Sequence, residues 1–108
     1  MDNDIIKVKL NKGRIKSVDL VILINQFRQI EAESTKKEYK ELQHYDFMKK
    51  IRKELETLKS LGIEGTGNFS ESSYYNSQNK KQPCFELNKD GMLQILNSES
   101  VLVRYKTI

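Results

Sequence analysis

The stretch from His44 to Gly62, HYDFMKKIRKELETLKSLG, constrains the fold more than any other part of the chain. Phe47, Met48, Ile51, Leu55 and Leu58 recur at the spacing of one helical face, so a helix here must bury that side. Lys49, Lys50, Arg52 and Lys53 fall between them and project from the other side. Gly62 follows the last apolar positions, where a helix ends most readily on a residue that adopts a left-handed backbone. The result is an anchored helix with a basic outer surface, a shape suited to a DNA groove or an acidic partner. The spacing also allows a plain solvated helix, because Lys50–Glu54 and Arg52–Glu56 stand one turn apart and would neutralise each other.

The segments around it read as a mixture of strands and helices. Ile5–Leu10 alternates apolar and basic residues from Ile6, as a strand exposed on one side does. Asn11-Lys12-Gly13 is turn chemistry, and Arg14–Lys16 is expected to return as a second strand. Ser17 is then placed as an N-cap, with Asp19 favourable in the first turn of the helix that follows. That helix carries Leu20, Leu23, Ile24, Phe27 and Ile30 on one face, with Val21 beside them. The polar run from Glu31 to Lys40 is expected to break it at Ser34-Thr35 and to form a short helix through Tyr39 and Leu42. A short helix, a brief polar turn and a basic helix make a helix-turn-helix-like order.

Beyond Gly62 the character changes. Gly62, Gly65 and Gly67 punctuate a loop, and Phe69 reopens apolar structure. Ser73-Tyr74-Tyr75 and Cys84-Phe85-Glu86-Leu87 have strand propensity, separated by a polar stretch with the chain's one proline, Pro83. This reads as a hairpin with a mobile basic tip at Lys80-Lys81. Asn88 is expected to cap a helix burying Met92, Leu93 and Leu96, and Ser98 to cap a last one through Val101, Leu102, Val103 and Tyr105. That apolar pattern is still running at Ile108, which suggests a continuing polypeptide or a docking surface.

Composition narrows the chemistry. The chain is 37% hydrophobic and 31% charged with a net charge of +4, which permits a polyanion partner without requiring one. Cys84 and His44 are the sole cysteine and histidine, so no internal disulfide and no cysteine–histidine zinc site is expected. Val18–Ile24 is far short of a bilayer span, and MDNDIIK lacks the basic-then-apolar order of a secretion signal. No nucleophile–base pair accompanies His44, and GIEGTG is not followed by the lysine and hydroxyl residue of a phosphate-binding loop. No catalytic residue, cofactor or metal is therefore expected. His44 reads either as a helix-start residue bonded to backbone or Asp46, or as a phosphate or base contact. Cys84 reads as a small core residue, and Tyr74, Tyr75 and Phe85 as packed strand aromatics rather than stacking platforms.

Several motifs occur in an order that resembles the Rha family of phage regulatory proteins, whose members often form the amino-terminal part of phage antirepressors. They are Ser17-Val18-Asp19-Leu20, His44-Tyr45-Asp46 with Ile51-Arg52, and Asn68-Phe69-Ser70. They continue as Ser73-Tyr74-Tyr75, Gln78–Phe85 with its proline, and Leu87-Asn88-Lys89-Asp90-Gly91. Gln43 stands where the family usually has a basic residue, and Ser98-Glu99-Ser100 where it commonly has glycine followed by lysine. The resemblance implies a DNA-binding role in the control of lysogeny, in the cytoplasm of a bacterial host cell.

The expectation is an α+β, winged helix-turn-helix-like domain of three to five helices and a β-hairpin. Residues 1–16 would form an N-terminal hairpin or arm on a regulatory domain of residues 17–108. Its core would join Leu20, Leu23, Ile24, Phe27, Ile51, Leu55, Leu58, Phe85, Leu93 and Leu96. Double-stranded DNA would meet His44, Lys49, Lys50, Arg52, Lys53, Lys80 and Lys81, the arginine reading a guanine edge. The alternative is an antirepressor or anti-defence inhibitor that docks on a phage or host regulatory protein without touching DNA. A homodimer through Leu102, Val103 and Tyr105 would suit a palindromic site.

Overall fold

A strand of three residues, β1 (Arg14–Lys16), runs without a break into a helix of nineteen, α1 (Ser17–Thr35), and this step sets the architecture. The computed structural model describes residues 13–63 and 67–107, so the strand expected at Ile5–Leu10 lies outside the described residues. After α1 come α2 (His44–Ser60), the hairpin β2 (Phe69–Tyr75) and β3 (Lys81–Asn88), then α3 (Lys89–Ile95), a 3-10 turn (Leu96–Ser98) and α4 (Val101–Thr107). Among the described residues the fold is α+β, with four α-helices and a three-stranded antiparallel sheet ordered β1-β3-β2, an arrangement compatible with a small winged-helix-like domain.

The register explains why β3 is central. Leu87 pairs with Ile15 on one side and Phe69 on the other, and all three side chains are buried as one cross-strand row. Asn88 donates its N–H towards β2, to Asn68 O at 3.3 Å, whereas Phe85 donates on the β1 side, to the Ser17 hydroxyl. Odd-numbered N–H groups of β3 therefore point towards β1, whose last pair is Lys16 with Glu86. Pro83 lies beyond that pair, so its missing N–H removes no ladder bond.

Helix–helix packing rotates the expected core. Leu20, Ile24, Phe27, Ile51, Phe85 and Leu96 are buried, and Leu23 and Leu55 pack against them half-buried. Ile30, expected on the same face, is 48% exposed. The reason is that α4 covers the flank of α1 bearing Arg28 and Ala32, which turns the Ile30 flank outward. Leu93 is likewise 47% exposed rather than buried, because the short α3 presents Met92 and Ile95 inward with Leu96 just after it. Leu58 is half-buried.

Caps and connections also depart from expectation. Ser17 is not an N-cap: the helix is preceded by Lys16 in extended conformation, and the Ser17 side chain is fully buried. No short helix forms through Tyr39 and Leu42; residues 37–43 are irregular, and Lys36 ends α1 in the left-handed region at φ 57°. Asn25 explains part of this, since its amide accepts from Leu42 N at 2.7 Å and donates to Leu42 O at 2.9 Å, satisfying backbone groups a helix would have used. The link before the basic helix is thus a clamped loop rather than a second helix and a brief turn. Gly62 adopts φ 74° as expected, with Ile63 N donating to Leu58 O and Gly62 N to Lys59 O, the paired bonds of a Schellman stop. Asn88 caps α3 through Gly91 N at 2.8 Å. At α4 the hydroxyl that accepts from Val103 N belongs to Ser100, not Ser98.

Candidate nucleic-acid interface

The buried stripe of α2 (Phe47, Met48 and Ile51) leaves Tyr45, Lys49, Arg52, Lys53 and Glu56 on the solvent side. Neither neutralising pair available to the sequence forms: the Arg28–Glu99 pair is the one ion pair among the described residues. Lys50 instead donates to the Ser98 hydroxyl at 2.8 Å, and Glu54 accepts from the Gln94 amide at 3.1 Å. Lys49 sits over the Tyr45 ring, 4.5 Å from its centroid, which holds the ammonium by cation–π attraction while leaving it in water. Lys49, Arg52 and Lys53 therefore share one exposed face without a carboxylate partner among the described residues, and Asp46 and Glu56 are the exposed acidic residues on that face.

His44 belongs to the interior side of the helix start. Its Nε2 lies 2.9 Å from Ser17 Oγ, and its ring meets Tyr74 edge-on at 5.6 Å between centroids. Burial lowers its pKa below the ordinary value, and the charge of Arg52 lowers it further. A neutral ring accepting the Ser17 proton fits that environment, while Ser17 Oγ accepts from Phe85 N at 3.0 Å. One hydroxyl thus joins α1, α2 and β3. The partner of Nε2 is Ser17 rather than the backbone or Asp46.

The His44–Tyr74 contact brings the N-terminal turn of α2 beside the far end of the hairpin, where Tyr75 pairs with Lys81. Lys80 and Lys81 are exposed there. The tip is closed by Asn76, whose side chain accepts from Gln78 N and Lys80 N at 2.9 and 3.0 Å, with Asn79 in the left-handed region. Tyr75 is 66% exposed rather than packed. Cys84 is buried as expected, and burial pushes its thiol pKa up, away from reactivity.

Two features escaped sequence reasoning. Ser17 looked like a cap because a serine before an apolar helix usually is one, and only its fully buried setting reveals the junction. Arg28 makes a bidentate pair with Glu99, at 2.9 and 2.6 Å, across 71 positions, a separation that no local pattern encodes. The expected dimer surface divides as well: Val103 is fully buried and Leu102 half-buried, whereas Tyr105 is 79% exposed. No described helix is long and apolar enough to cross a membrane.

No curated protein and no solved structure matches the chain significantly. The family described as phage regulatory protein Rha matches residues 32–106, from the last turn of α1 to the end of α4. With more than two thirds of its length matched, the chain belongs to the Rha family of phage regulatory proteins.

Proposed function

We propose that this phage regulatory protein binds double-stranded DNA with the outer face of α2 and the hairpin tip, and so controls phage gene expression in the host cytoplasm. The observation that carries the reading is the grouping of Lys49, Arg52 and Lys53 on one exposed face with no carboxylate paired to them among the described residues. Lys80 and Lys81 are exposed at the hairpin end, near the start of α2, and in this reading they supply the wing's phosphate contacts. Two or three helix cations along a phosphate backbone supply affinity, and Arg52 offers the planar fork that reads a guanine edge.

Four phosphate contacts, from Lys49, Lys53, Lys80 and Lys81, give a slope of about −3.6 in log K against log salt, since each contributes about −0.9. Titration of duplex DNA from the phage's regulatory region at roughly 50 and 200 mM salt tests this. The expected result is tight binding at low salt that collapses at high salt; no binding at low salt refutes the reading. A second reading, docking on a protein regulator, draws support from the exposed Val101 and Tyr105 and from Asp46 and Glu56 on the basic face. It takes over if DNA fails to bind and a purified phage repressor does.

A further inference from the structure

We propose that Lys50, though it lies among the basic residues of α2, is a positioning residue that fixes the roll of the helix, and that Ser98 and Glu99 act with it. The proposal rests on the polyanion reading above and assigns how that surface is held. Lys50 Nζ donates to Ser98 Oγ at 2.8 Å. The next residue, Glu99, is 6% exposed at its side chain and receives Arg28 Nε and Nη2 at 2.9 and 2.6 Å. Arg28 Nη1 reaches on to Lys40 O at 3.1 Å, and Asn25 clamps Leu42 two residues later. Leu42 stands two residues before His44, where α2 begins. The contacts close a ring: α2, the turn before α4, α1, the interhelical loop, and α2 again.

An apolar stripe sets how far a helix stands from its core but permits some rotation about its own axis. The polar ring resists that rotation, because Lys50 flanks the buried stripe and Glu99, the residue after its partner Ser98, is tied to α1. A roll of about 20° would swing a lysine ammonium by about 3 Å, the length of a hydrogen bond, and detach it from a phosphate. The device therefore acts on the alignment of Lys49, Arg52 and Lys53 without adding a contact of its own.

Three variants separate the roles in a salt titration on duplex DNA. Lys49→Met removes a contact, so the slope against log salt falls by about 0.9. Lys50→Met is expected to weaken binding about two- to fivefold with the slope unchanged, because the counterions released are the same. Ser98→Ala keeps every charge and is expected to weaken binding equally, with the double variant Lys50→Met/Ser98→Ala no worse than either single one. A slope that falls in Lys50→Met, or full affinity in Ser98→Ala, overturns the proposal. If the parent protein binds no DNA, the functional reading fails on its own, and amide hydrogen exchange decides the ring. Exchange at residues 40–46 is expected to rise about two- to fivefold in Ser98→Ala and Lys50→Met but not in Lys49→Met. Unchanged exchange overturns it.

Discussion

Replacing Ser17 by alanine removes one oxygen atom and unties three elements. The hydroxyl accepts from Phe85 N at 3.0 Å and lies 2.9 Å from His44 Nε2, with Met48 Sδ at 3.7 Å, and it is inaccessible to solvent. Without it the Phe85 N–H faces a space with no strand partner, since β1 ends at Lys16. Leaving a buried donor unsatisfied costs about 1–3 kcal/mol. The half-buried His44 can recover water on one side, so its lost bond adds only about 0.5–1 kcal/mol. Alanine's better helix propensity returns at most about 0.5 kcal/mol. The expected net loss is about 1–3.5 kcal/mol, which in a domain of this size lowers Tm by roughly 5–15 °C. Urea denaturation at neutral pH measures it, and a cycle with His44→Gln isolates the coupling, expected near 1 kcal/mol. A loss below about 0.5 kcal/mol would refute the claim that this hydroxyl is a structural junction.

Other substitutions probe separate joints. Gly91→Ala is expected to cost about 3 kcal/mol by chemical denaturation, because a Cβ there would collide with the Asn68 backbone carbonyl. Glu99→Ala should cost about 2–3 kcal/mol, less than a fully buried pair because the Arg28 side chain keeps 27% of its exposure; circular dichroism melting checks it. The pH dependence has a definite sign. The folded state holds the His44 pKa below 6.5, so the unfolded chain binds more protons in the window between that lowered value and 6.5. Stability should therefore be fully present above that window and decline as pH falls through it, a decline that His44→Gln removes in urea midpoints taken at about pH 7 and 5.5.

What the sequence determined was whatever follows from local periodicity and local chemistry. The burial of Phe47, Met48 and Ile51, the stop at Gly62, the Asn88 cap and the hairpin all follow from spacing and residue type within a few positions. The motif order from His44 onward carried the family in the same way. Tertiary structure decided what depends on distant partners. Whether Lys50 would meet Glu54 or Ser98 turned on the α3–α4 connection, 48 positions away. Whether Ile30 or Ala32 would be covered turned on the side from which α4 approached α1. Ser17 was legible as a helix-start residue, but its burial required β3 and α2 to converge on it. A helix fixes which side chains share a face through its own backbone geometry; which faces meet, and which cations remain in water, is settled only when the elements pack.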